Sequence, residues 1–89
     1  MNHYMVSYDL LKPGKDYDNL ISRLSELGAT RILFSQWELN STASASEVCA
    51  DLRQHIDSND RLLVTGLNGY ASWTGLLIPD QEFQNRLVA

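Results

Sequence analysis

An 89-residue chain with 44% hydrophobic residues has room for one modest core and is too apolar to stay disordered. Its seven Lys and Arg are scattered and outnumbered by eleven Asp and Glu, and the net charge of −4 argues against strong nonspecific binding of nucleic acid by a single copy. No apolar run reaches membrane-spanning length, no basic patch opens an apolar leader at Met1-Asn2-His3, and the lone Cys49 rules out an internal disulfide, so a cytoplasmic protein without membrane contact is expected.

Tyr4-Met5-Val6-Ser7-Tyr8-Asp9 reads as the first strand, with Tyr4, Val6 and Tyr8 on one face and Met5, Ser7 and Asp9 on the other. Lys12-Pro13-Gly14 ends it, which leaves the Asp9 carboxylate where a packed strand hands over to a loop. A helix is expected from Asp16, with Tyr17, Leu20, Ile21, Leu24 and Leu27 as its apolar stripe and Gly28 as a left-handed stop. Arg23 and Glu26 fall on its wet side. Residues 30–39 read as one extended run with a kink or bulge near Ser35-Gln36, because neither alternating face is cleanly apolar. Ser44 and Glu47 have capping-box spacing and open a second helix whose buried stripe is Val48, Cys49, Leu52 and Ile56. After a turn at 57–60, residues 61–67 form another strand. Asn68-Gly69 is a hairpin signal, and residues 70–78 follow as a further extended run. Pro79 breaks that run, so the reading is one domain over 1–78 and a polar C-terminal tail over 79–89 that either docks weakly through Leu87-Val88 or frays.

Few residues offer chemistry. Gly14-Lys15 lacks the rest of a phosphate-binding loop, His3 and His55 are not at metal-ligand spacing, and one Cys cannot build a zinc site. Asp57-Ser58-Asn59-Asp60 lacks the Gly and the terminal Glu of a calcium loop. That leaves Asp9 as the candidate centre.

The order strand-helix-strand-helix-strand points to an α+β fold: a ferredoxin-like sandwich, an antiparallel sheet with two helices on one face. At this length the chain resembles the small CRISPR-adaptation protein family (Cas-two-like), which groups with VapD-type toxins. Tyr4-Met5-Val6-Ser7-Tyr8-Asp9-Leu10 is similar to that family's first strand with its Tyr-Asp ending. Gly28, Arg31 and Ser35-Gln36-Trp37-Glu38 resemble its Gly, Arg and Ser-Val-Phe-Glu pattern, and Asp60-Arg61-Leu62-Leu63-Val64 its acidic turn and final core strand. The chain departs from the pattern at Asp16 and Asp18, where a basic helix start is usual, and at Leu33, where Gln is frequent.

The resemblance implies a homodimer in which the two Asp9 carboxylates face each other across a two-fold axis. Two close carboxylates repel unless a cation lies between them, so Mg2+ is the implied cofactor, Asp9 its ligand, and a nuclease acting on RNA or DNA the implied activity. Ser35, brought near Asp9 by the kink, would orient phosphate or water. The competing expectation, from a different class, is a non-catalytic dimeric scaffold that holds a partner protein or a nucleic-acid complex. A small-molecule regulatory module fits less well, since no loop reads as a ligand site.

Overall fold

The computed structural model describes residues 1–11, 17–68 and 70–87. Strand β1 (Asn2–Asp9) leads to helix α1 (Asp18–Glu26). A hairpin of β2 (Thr30–Leu33) and β3 (Gln36–Ser41) is followed by α2 (Ala45–Arg53), β4 (Arg61–Gly66) and α3 (Asp80–Leu87). The sheet order is β2-β3-β1-β4 and every pairing is antiparallel, the α+β arrangement expected. β1 is the strand everything else is built on: it pairs with β3 from Asn2 to Ser7 and with β4 from Tyr4 to Asp9.

The alternation read in β1 sets the layers. Tyr4, Val6 and Tyr8 are buried, and with Trp37 and Leu39 they meet Leu20 and Leu24 of α1 and Val48 and Leu52 of α2 in one cluster. Both helices therefore lie on the same face of the sheet. Each fully buried Leu contributes ~1.5–3 kcal/mol. The helix ends follow their local chemistry. Gly28, at φ 80°, closes α1 in a Schellman motif: its N–H reaches Ser25 O and that of Ala29 reaches Leu24 O, both at 3.0 Å. At α2 the Ser44 hydroxyl accepts from Glu47 N while the Glu47 carboxylate accepts from Ser44 N. α1 is described from Asp18, so its expected start at Asp16 lies outside the described residues.

Three expectations are corrected. Residues 30–39 are not one kinked strand but a hairpin turning at Phe34 and Ser35. Arg31 pairs with Trp37 and Leu33 with Gln36, so Ile32 is an extra residue, and the irregularity lies there, just before the turn. Residues 70–78 form no strand. They cross the second face of the sheet as an irregular strap, with Leu77 N donating to Ile32 O (2.9 Å) on the outer edge of β2. The hairpin signal falls partly on Gly69, outside the described residues; Asn68 keeps a negative φ and its Oδ1 accepts from Tyr70 N. Finally, the segment read as a polar tail carries α3, which is seated on that same second face. Phe83 is buried there, its ring edge-on to Trp73 at 4.7 Å between centroids.

α3 also brings Arg86 to the fully buried carboxylate of Glu38 and to Gly28 O (3.0 Å). The strap and α3 cover the β2–β3 half of the second face, around Met5, Ile32, Leu33 and Gln36. The β1–β4 half is left open, with Leu63 59% exposed.

Candidate functional site

Asp9 closes β1 on the open part of the second face. Register places Arg61, the first residue of β4, directly opposite it, with Nη1 3.7 Å from Asp9 Oδ2. Both side chains are exposed, 68% for Asp9 and 70% for Arg61, so water screens the pair and it adds little to stability. Ser35 comes from the β2–β3 turn. Its carbonyl accepts from Tyr8 N (3.1 Å), which pins the turn against the end of β1. Asp9, Ser35, Ser7, Gln36 and Arg61 line one cleft of about 330 Å³, open to solvent, with Leu63 beside them. The two residues singled out from sequence are thus brought together.

The cleft offers a carboxylate, a guanidinium, two hydroxyls and an amide. It can pair charges and hydrogen-bond a polar ligand, and among the described residues Asp9 is the one acid that lines it. Among the described residues no group of three or more His, Cys, Asp or Glu is placed to hold a metal ion. Magnesium takes an oxygen-rich octahedral shell, and one carboxylate beside a guanidinium does not supply it. The described residues of a single copy do not by themselves fit the ion.

A network behind the cleft is not visible in the sequence. The Tyr8 hydroxyl accepts from Trp37 Nε1 (2.9 Å) and from Arg31 Nη2 (3.3 Å), and lies 3.5 Å from Phe34 O. The Arg31 guanidinium carbon sits 5.2 Å from the centre of the Trp37 ring, a cation–π contact. Arg31 Nε is buried without a hydrogen-bond partner. These side chains hold the Phe34-Ser35 turn in place from the helix side of the sheet. Trp37 and Tyr8 could have been assigned to the same face by alternation; Arg31 could not, because the bulge at Ile32 shifts the register beyond it.

Arg23, expected to be merely solvated, forks onto Asp51 of α2 through Nε–Oδ1 (2.9 Å) and Nη2–Oδ2 (2.6 Å), clamping the two helices. The hydrogen bonds from Arg23 hold the Asp51 carboxyl below the usual range, against a smaller opposing effect of burial. Those from Ser44, backbone first, lower Glu47. A carboxyl depressed in the folded state adds stability that is present above its unfolded value and lost as pH falls through the folded one. Stability to urea is therefore expected to drop as pH is lowered below ~4. The drop should be shallower in Asp51→Asn; equal slopes in the two proteins would remove Asp51 from the acid transition.

No family model and no solved structure matches this chain. No helix among the described residues is long and apolar enough to cross a membrane.

Proposed function

We propose that this chain is a non-catalytic binding module that works as a homodimer and holds a partner protein or a nucleic-acid complex. The observation that carries the reading is the match of Asp9 with Arg61 across the open β1–β4 pair. A site built to capture a cation concentrates uncompensated negative charge, whereas adjacent opposite charges on an open surface suit docking and its register. Support for self-association comes from Leu63, left 59% exposed beside that pair, on a domain too small to waste buried area. An isologous contact would double the area removed from water.

The second reading is magnesium-dependent cleavage of RNA or DNA by a Cas-two-like homodimer. One observation favours it: Asp9 and Ser35 line the same cleft. It requires the Asp9 of a second copy to complete the donor set.

Purified protein incubated with single- and double-stranded RNA and DNA, with magnesium or with chelator, separates the two. The expected result is no cleavage above that of Asp9→Asn, with both proteins equally dimeric. Magnesium-dependent cleavage that vanishes in Asp9→Asn while the dimer persists would replace the first reading with the second.

A further inference from the structure

The two edges of the sheet are treated differently. The outer edge of β2 is occupied, since Leu77 N donates to Ile32 O. β4 ends the sheet on the other side, and among the described residues nothing hydrogen-bonds to its outer edge. Which of its backbone groups are free follows from the ladder. Leu67 N donates to His3 O (2.8 Å), so His3/Leu67 is a hydrogen-bonded pair. Bonded and non-bonded pairs alternate in an antiparallel ladder. Met5/Thr65, Ser7/Leu63 and Asp9/Arg61 are then bonded, while Leu62, Val64 and Gly66 turn their N–H and C=O outward. The assignment is consistent with β1 itself, where Tyr8 N is used by Ser35 O on the β3 side.

We infer that this edge joins two copies of the chain, β4 against β4 and antiparallel, to give one continuous eight-stranded sheet. The inference rests on the homodimer reading and says where the dimer forms. A second copy is favoured as occupant because the edge is complementary to itself. A two-fold axis at Val64 places Leu62 opposite Gly66 of the partner subunit and Val64 opposite its own mate, a joint of about six hydrogen bonds. The strand, Arg61-Leu62-Leu63-Val64-Thr65-Gly66, carries no Pro, no Lys and no acid, so its middle lacks the devices that keep an exposed edge single. Its one charge, Arg61, lies at the end of the strand and is separated from its mate by ~20 Å of strand rise. Asp60, the residue before it, borders the joint and lies at least as far from its mate, so like charges do not meet across the axis.

Above the joint, on the helix side, Cys49, Arg53 and Ile56 border Leu62 along a groove of about 550 Å³. α2 of each copy would flank the axis there. The joint also keeps the two Asp9 residues more than ~20 Å apart, because each lies one strand in from β4 and opposite Arg61. No ion could be shared between them, which aligns the joint with a scaffold rather than a nuclease.

Gly66→Pro tests the joint. The Gly66 N–H points outward, a Cβ built there meets nothing within 4 Å, and its φ is not positive, so proline removes one outward donor without breaking a bond to β1. Sedimentation of wild type is expected to give twice the 10.1 kDa chain mass where Gly66→Pro sediments as a monomer with an unchanged far-UV spectrum. Thr65→Ser, which lies in β4 but in a pair bonded to β1 and so alters no outward backbone group, should remain dimeric. In wild type the Leu62 and Val64 amides should exchange more slowly as concentration rises. A dimer that persists in Gly66→Pro, with those amides exchanging freely, would overturn the edge joint and leave the homodimer reading standing. A wild type that is monomeric at every concentration would remove both. If Gly66→Pro does not fold, amide exchange in wild type decides: concentration-dependent protection supports the joint, and free exchange overturns it.

Discussion

Arg86→Met is expected to cost ~3 kcal/mol or more, because it strands a carboxylate inside the protein. Glu38 is fully buried on β3, and its Oε1 has no hydrogen-bond partner, so Arg86 supplies the compensation for that charge. Removing the guanidinium also frees Gly28 O. The chain can relieve the strain by releasing α3, which holds on otherwise through Phe83 and the strap, and water then reaches Glu38. Release would expose Trp73, packed edge-on against Phe83, and leave Trp37 buried on the helix side. Urea titration should show the loss of stability, and the Trp73 emission should shift to the red before the global transition. Replacing both partners, Glu38→Met with Arg86→Met, should recover most of the loss, since two apolar side chains leave no charge unmatched. A single Arg86→Met that costs under ~1 kcal/mol with Trp73 unmoved would mark the pair as an ordinary solvated contact. Release of the strap has a second consequence. It uncovers the β2 edge by removing the Leu77 N–H from Ile32 O, and an open edge of this kind favours strand pairing between chains, so the variant should scatter light as larger assemblies.

The parts of this fold that sequence shows are those whose signal is local. Tyr4, Val6 and Tyr8 alternate because one face of β1 is buried and the other is not. Gly28 and the Ser44–Glu47 box end and begin helices through contacts within a few residues. The β2–β3 turn is hidden because Phe34-Ser35 carries no Gly, Asn or Pro, and none of its residues takes a positive φ. Aliphatic and aromatic residues run straight through the turn and look like one strand. α3 is hidden for the opposite reason: Phe83 is its one buried side chain, too little to make an apolar stripe. Its attachment depends on Glu38 and Trp73, far away in sequence. At the site, Asp9 was legible from the end of its strand, and Ser35 only through the expectation of a kink. Arg61 was not, because finding it requires the β1–β4 register, and register is a property of the folded sheet. Arg23 was misread for a similar reason: its partner Asp51 sits on another helix.

Trp37→Ala is expected to cost ~3–5 kcal/mol, the range for removing a large aromatic from a core. Trp37 is 6% exposed and stands opposite Val6 in the middle of the sheet, so the void would open beneath α1 and α2. The loss would not be uniform over the chain. Without the indole, the Tyr8 hydroxyl loses its 2.9 Å donor and Arg31 loses the ring that it lies against. Arg31 already carries a buried Nε without a partner, so it has reason to swing out to water. The Phe34-Ser35 turn would then be held to β1 mainly by the bond from Tyr8 N to Ser35 O, and the Tyr8 amide should exchange faster than its neighbours Val6 and Tyr4. Trp37→Phe separates volume from hydrogen bonding. It keeps most of the apolar contact and removes the N–H, so it should cost ~1–2 kcal/mol and still loosen the turn. If Trp37→Phe leaves the Tyr8 amide as protected as in wild type, the Tyr8–Trp37–Arg31 network does not position Ser35. The turn would then owe its place to the strand ladder alone.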